Sequence, residues 1–141
     1  MLVNLKHNRI KVTSHDAERL RALMLNSRDS KSNIHTWLKR LQLLLEGAQL
    51  VSSESVSSNI VTMNSKIKLE DKICKESINL TLVFPDIPLR ESDKSFDEFN
   101  VSILSPIGLS VLGRKVGDMI AERVVISKML YQPEASGDYD I

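Results

Sequence analysis

FNVSILSPIGLSVLGRKVGDMIAERVVISKMLYQPEASGDY, residues 99–139, packs a strand, a short helix and a further strand into a brief span. Val101 and Ile103 precede Ser105-Pro106-Ile107-Gly108, and Val111-Leu112 follow it. Apolar runs on both sides of a Pro-Gly corner predict a strand that enters a short helix. Gly113, Gly117 and Asp118 then close the helix and turn the chain, because glycine tolerates the left-handed position at a helix end and Gly-Asp is a turn pair. Residues 124–130 read as the next strand, followed by the tail Tyr131-Gln132-Pro133-Glu134-Ala135.

Working outward, Ser77 to Phe84 alternates, with Ile78, Leu80, Leu82 and Phe84 on one face, and Pro85 stops it. Before it, residues 60–63 and 66–69 read as strand, with a turn at Glu70-Asp71-Lys72. Residues 86–97 form a long acidic loop. The back half is therefore four or five antiparallel strands with one short helix, an α+β arrangement. Serines at 52, 53, 55, 57 and 58 mark a linker over residues 52–58, which divides this part, residues 59–141, from a helical front, residues 1–51.

In the front, Thr13 followed by Asp16 is a capping-box-like start. Asp16 and Glu18 suit the positive end of a helix, and Ala17, Leu20, Leu23 and Met24 form its apolar stripe. A second helix follows from Ile34, Trp37, Leu41, Leu44 and Ala48, spaced as a coiled-coil seam, with Leu38 and Leu45 widening it. The polar stretch 26–33 between them is short, so the economical arrangement is an antiparallel hairpin. Trp37 reads as core packing, and residues 9–12 as a short edge strand or an extended arm.

The 141 residues suit a single domain or one domain with an appended element. Net charge is +1, but residues 1–40 carry nine Lys or Arg against three acids, a net +6, leaving −5 for the rest. A basic front meets phosphate or an acidic surface, or is a solvated helix face. Arg19, Arg28, Lys31, Lys39 and Arg40 are its candidate contacts. Without aromatic interleaving they suit weak, salt-sensitive nucleic-acid contact and not sequence-specific binding. Cys74 is alone, so no internal disulfide forms, and a partly buried reduced thiol in a cytoplasmic protein is expected. His7, His15 and His35 lie at no metal-ligand spacing. No phosphate loop, nucleophile elbow or HExxH pattern occurs. Neither a cofactor nor a metal is implied, and a non-enzyme is expected.

Val61-Thr62-Met63-Asn64-Ser65, Leu82-Val83-Phe84-Pro85, Ser105-Pro106-Ile107-Gly108, Val116-Gly117-Asp118 and Tyr131-Gln132-Pro133-Glu134-Ala135 together resemble the GreA/GreB transcription factor family. The short-hairpin members are the better match. The resemblance implies an FKBP-like C-terminal domain that docks on RNA polymerase at the rim of its secondary channel, carrying a helical hairpin. It places the polymerase contact at Leu104, Ser105, Pro106, Ile107 and Gly108. Family members often have an acidic residue before Ser-Pro; Leu104 shifts that contact from charge pairing toward apolar packing. In long members an acidic hairpin tip helps hold the metal with which the polymerase cleaves its own transcript. Here helices of about 12 and 17 residues give a hairpin of about 20 to 25 Å. Its tip offers only Asp29, whereas sharing Mg²⁺ needs one or two converging carboxylates. The expectation is polymerase binding in competition with Gre-type factors, without stimulated cleavage. The alternatives are a Gre-like factor that stimulates cleavage and a prolyl isomerase. An isomerase needs an aromatic-walled pocket, for which the back half offers only Phe84, Phe96, Phe99, Tyr131 and Tyr139.

Overall fold

A computed structural model of the chain describes residues 10–26, 34–85, 98–139 and 141. Of the expected loop at 26–33, Asn26 is helical and the rest lies outside the described residues, as do the expected loop at 86–97 and the residues up to Arg9, and with them Arg28, Asp29, Lys31 and Phe96. Strand β1 (Lys11–Thr13) leads directly into α1 (Ser14–Asn26). Thr13 caps the helix as its sequence suggests, its Oγ1 accepting the Asp16 N–H at 3.0 Å. Helix α2 (Ile34–Gly47) returns, and β2 (Gln49–Val51) pairs in parallel with β1. Parallel neighbours need a crossover, and the helical hairpin supplies it. The buried face of α2 is Leu38, Leu41 and Leu45, continued by Ala48. Trp37 and Leu44 sit at its rim, so Trp37 is half-buried where core packing was expected, with the Arg40 guanidinium 5.1 Å from its ring centre.

The second sheet has β3 (Lys66–Asp71), β4 (Ser77–Val83), β5 (Glu98–Ser102) and β6 (Val124–Tyr131), in the order β5-β4-β3-β6. Both pairings of β3 are antiparallel, as expected. The β4–β5 pair is parallel, which departs from an all-antiparallel sheet. Strand β4 is therefore interior to this sheet, with β5 and β3 on either side. Helix α3 (Pro106–Val111) lies between β5 and β6 in the chain and buries Gly108 and Val111.

Residues 60–63 do not form the expected strand. They run alongside the turn after α3 instead, through Val61 N to Arg114 O at 2.8 Å and Gly113 N to Val61 O at 2.9 Å. The reason is local. The Ser65 hydroxyl accepts the Thr62 N–H at 2.9 Å, and Asn64 takes a positive φ of 68°. Short polar side chains that bond their own backbone compete with a ladder. Cys74 is exposed where a partly buried thiol was expected. The Asp71 carboxylate accepts the Ile73 and Cys74 N–H groups at 2.9 and 3.2 Å, shaping a turn that carries the thiol outward.

One apolar core joins the hairpin to the sheet: Ala17, Leu20, Leu41 and Leu45 cluster with Val61, Met63, Ile67, Leu80, Leu82 and Ile126. Among the described residues, no helix is long and apolar enough to cross a membrane.

Candidate functional site

The corner before α3 is built by one hydroxyl used twice. Ser105, extended at φ −153° and ψ 161°, caps the helix by accepting the Gly108 N–H at 3.1 Å, while its own hydroxyl donates to Ser102 O at 2.6 Å. The Ser102 hydroxyl accepts the Leu104 N–H at 3.0 Å, closing a second small loop. Pro106 occupies the first helical turn, where its missing N–H leaves nothing unpaired. Gly108 is buried so tightly that an added Cβ would stand 2.1 Å from Ser102 O. These contacts fix the helix start against the end of β5 and leave Pro106 and Ile107 exposed. Leu104 is half-buried and packs partly on the core.

Ile107 and Pro106 form one wall of a groove of about 370 Å³. Leu69 and Ile78 from the sheet, Ile120 and Ala121 from the chain entering β6, and Val124 at its start complete the apolar lining, with Asp71, Cys74 and Glu76 also lining the groove. Arg123 holds Asp71 at 2.8 Å. The Ile73 N–H above all sets the Asp71 carboxyl below its usual pKa; desolvation opposes it, and the Cys74 N–H and Arg123 add to the lowering. None of the described aromatic side chains lines this groove. A larger one, about 710 Å³, runs along the hairpin between Met24 and Leu25 of α1 and Leu38 and Lys39 of α2.

Of the basic residues singled out in the sequence, Lys39 and Arg40 are exposed on α2. Arg19 turns inward: its guanidinium bonds the buried Asp16 carboxylate at 2.7 Å and lies 4.8 Å from the Phe84 ring centre. Asp16, read from sequence as a charge favouring a helix start, also accepts the Met63 N–H at 2.9 Å. No spacing rule joins residues so far apart. The groove likewise needs three separate segments, so only its Pro106-Ile107 wall was recognisable in the sequence.

At the opposite end of the sheet, the tail is tied to residues 57–65. Gln132 Nε2 donates to Ser57 O at 2.8 Å and Ile60 O at 2.7 Å, and the Thr62 hydroxyl donates to Glu134 at 2.6 Å. The Tyr131 hydroxyl donates to the Asp138 carboxylate.

A family model for the C-terminal region of the transcription elongation factors GreA and GreB matches residues 56–126, and the chain belongs to that family. It is 33% identical over 103 residues to the regulator of nucleoside diphosphate kinase of Escherichia coli, a match covering 67% of this chain and 71% of that protein. The transcription elongation factor GreA of Acetivibrio thermocellus is 24% identical over 94 residues, with 55% of its length spanned. A solved structure, the prokaryotic transcription elongation factor GreA/GreB from Nitrosomonas europaea, superposes with a TM-score of 0.71 at 30% identity, over 87% of this chain and 100% of that one.

Proposed function

We propose that this protein binds RNA polymerase at the rim of the secondary channel, competes there with Gre-type factors, and does not stimulate transcript cleavage. The observation that carries the reading is the Ser105-Pro106-Ile107 corner, held rigid by the doubly used Ser105 hydroxyl and opening an exposed apolar wall beside a groove. A rigid apolar corner binds with little ordering cost, and membership of a transcription-factor family supports a partner in the transcription machinery. Exclusion of a longer factor then follows by mass action, as for any competing ligand. Helices of 13 and 14 residues give a hairpin about 20 Å long, which favours occupancy of the entrance over delivery of a metal to a distant centre. Lys39 and Arg40 are its contacts to polymerase or to nearby nucleic acid. The cytoplasm is where such a partner is met.

The test is capture of core RNA polymerase by the tagged protein, repeated with excess Gre factor. Wild type is retained and displaced, while Ile107→Asp, which puts a charge on the apolar wall, is not retained. Retention of Ile107→Asp at the wild-type level overturns the assignment of the corner. Stimulated cleavage of a backtracked transcript overturns the chemistry. A prolyl isomerase is disfavoured by the aliphatic lining of the groove, and turnover of a proline tetrapeptide at micromolar protein would reinstate it.

A further inference from the structure

We propose that Asp16, clamped by Arg19, is a positioning residue that sets the aim of the helical hairpin relative to the sheet. Asp16 is fully buried although it lies in the first turn of a helix. One carboxylate oxygen accepts the Met63 N–H at 2.9 Å from the body; the other accepts from Arg19, one turn further along the same helix. Arg19 in turn lies over Phe84, which follows the last residue of β4. Its Nε is buried without a hydrogen-bond partner, so Asp16 and the ring define where the guanidinium sits. Beyond the strand pair at its root, the hairpin thus meets the body, among the described residues, through a hydrogen bond at Met63 and a cation–π contact at Phe84, in addition to its apolar face.

The distinction matters because apolar contact is non-directional, and Ala17, Leu20, Leu41 and Leu45 alone would permit sliding and rotation. Hydrogen bonds weaken steeply off axis, so the Asp16 bond selects one tilt and one rotation of α1. Burial strengthens that selection, since a displaced Asp16 leaves a desolvated N–H and carboxylate unpaired. A buried polar group used in this way specifies one arrangement among several of similar packing. Arg19 is accordingly an internal clamp and not a free basic contact.

Spin labels on the exposed Cys74 and on Leu43→Cys, an exposed position of α2, report the hairpin-to-body distance in the full chain. Wild type gives one narrow distance. Asp16→Ala loses it for a broad distribution, Asp16→Asn, which still accepts the Met63 N–H, broadens less, and Arg19→Gln broadens too. Wild-type distributions in folded Asp16→Ala and Arg19→Gln, with only a lowered melting temperature, would mean a structural role alone and overturn the proposal. If Asp16→Ala does not fold, Arg19→Gln decides. The consequence for binding rests on the polymerase reading: should the aimed pose fall to about a tenth of the population, apparent affinity falls about tenfold. If wild type does not bind polymerase, that reading fails while the distance measurement still decides this one.

Discussion

Gly108→Ala sets a helix-propensity gain against a steric cost, and the structure says which is larger. Alanine gains about 1 kcal/mol over glycine inside a helix. The added Cβ would stand 2.1 Å from Ser102 O and 2.9 Å from Ile103 Cα, both backbone atoms that no rotamer change can move. Reaching an ordinary 3.4 Å contact means lifting α3 from β5 by about 1.3 Å. Overpacking of this kind costs about 1–3 kcal/mol. The shift also breaks the 2.6 Å bond from Ser105 to Ser102 O, worth about 1 kcal/mol. The net is a destabilisation of about 1–3 kcal/mol, survivable for a domain with a typical 5–15 kcal/mol in hand. Urea unfolding followed by far-UV circular dichroism and by fluorescence of Trp37 measures it, and coincident transitions license the two-state comparison. Gly47→Ala, with open space around its Cβ and no positive φ, is the control and gains up to about 1 kcal/mol. A Gly108→Ala midpoint at or above that of wild type would refute the close approach of α3 to β5.

Ser105→Ala removes the α3 cap together with the bond to Ser102 O and costs about 0.5–2 kcal/mol in the same urea assay. Gln132→Glu sets a carboxylate against the Ser57 and Ile60 carbonyls, losing two donors; it costs about 2–3 kcal/mol or more, and Gln132→Met, which only loses the bonds, costs less. The hydrogen bond to Asp138, aided by a little burial and by the negative charge of Asp138, raises the Tyr131 pKa from 10.0 to about 12. Because the folded value lies above the unfolded one, this contribution to stability is fully present below pH 10.0 and is lost as pH rises through about 12. A tyrosinate absorbance titration shows a component with a midpoint near 12 that disappears in Tyr131→Phe; a Tyr131 component near 10 would refute the bond.

The two long helices were legible because their signals are local. Thr13 caps at the expected position and the apolar spacing of α2 marks its buried side, displaced only far enough to put Trp37 at the rim. The parallel β4–β5 pair was misread although a signal for it was present. Fourteen residues separate Val83 from Glu98, and a connection of a dozen or more suits a parallel crossover better than a hairpin. Residues 60–63 carry genuine strand composition. They lost to hydrogen bonding between Thr62 and Ser65, whose short side chains satisfy their own turn, with Asn64 at positive φ between them. At Asp16 two explanations coincide, since a helix-dipole acid and a buried tie both place Asp in a first turn. Only the distant Met63 amide separates them.

That coincidence bears on how the hairpin reaches. Strands β1 and β2 pair in parallel at its root, and β1 is held to the turn after α3 by Lys11 N to Gly113 O at 3.3 Å. Gly113 is required at that junction: it has a φ of +79°, and a Cβ there would meet Ile10 at 2.8 Å. Within the stretch that follows β2, Ser52 accepts backbone bonds from Ser55 and Val56, and Ser57 O is bound by Gln132. A root tied at so many points adds no swing to the length of its arm. The 13 residues of α1 then span about 20 Å from that root. On the proposed polymerase reading, a chain built this way acts by where it sits, through the corner at Pro106.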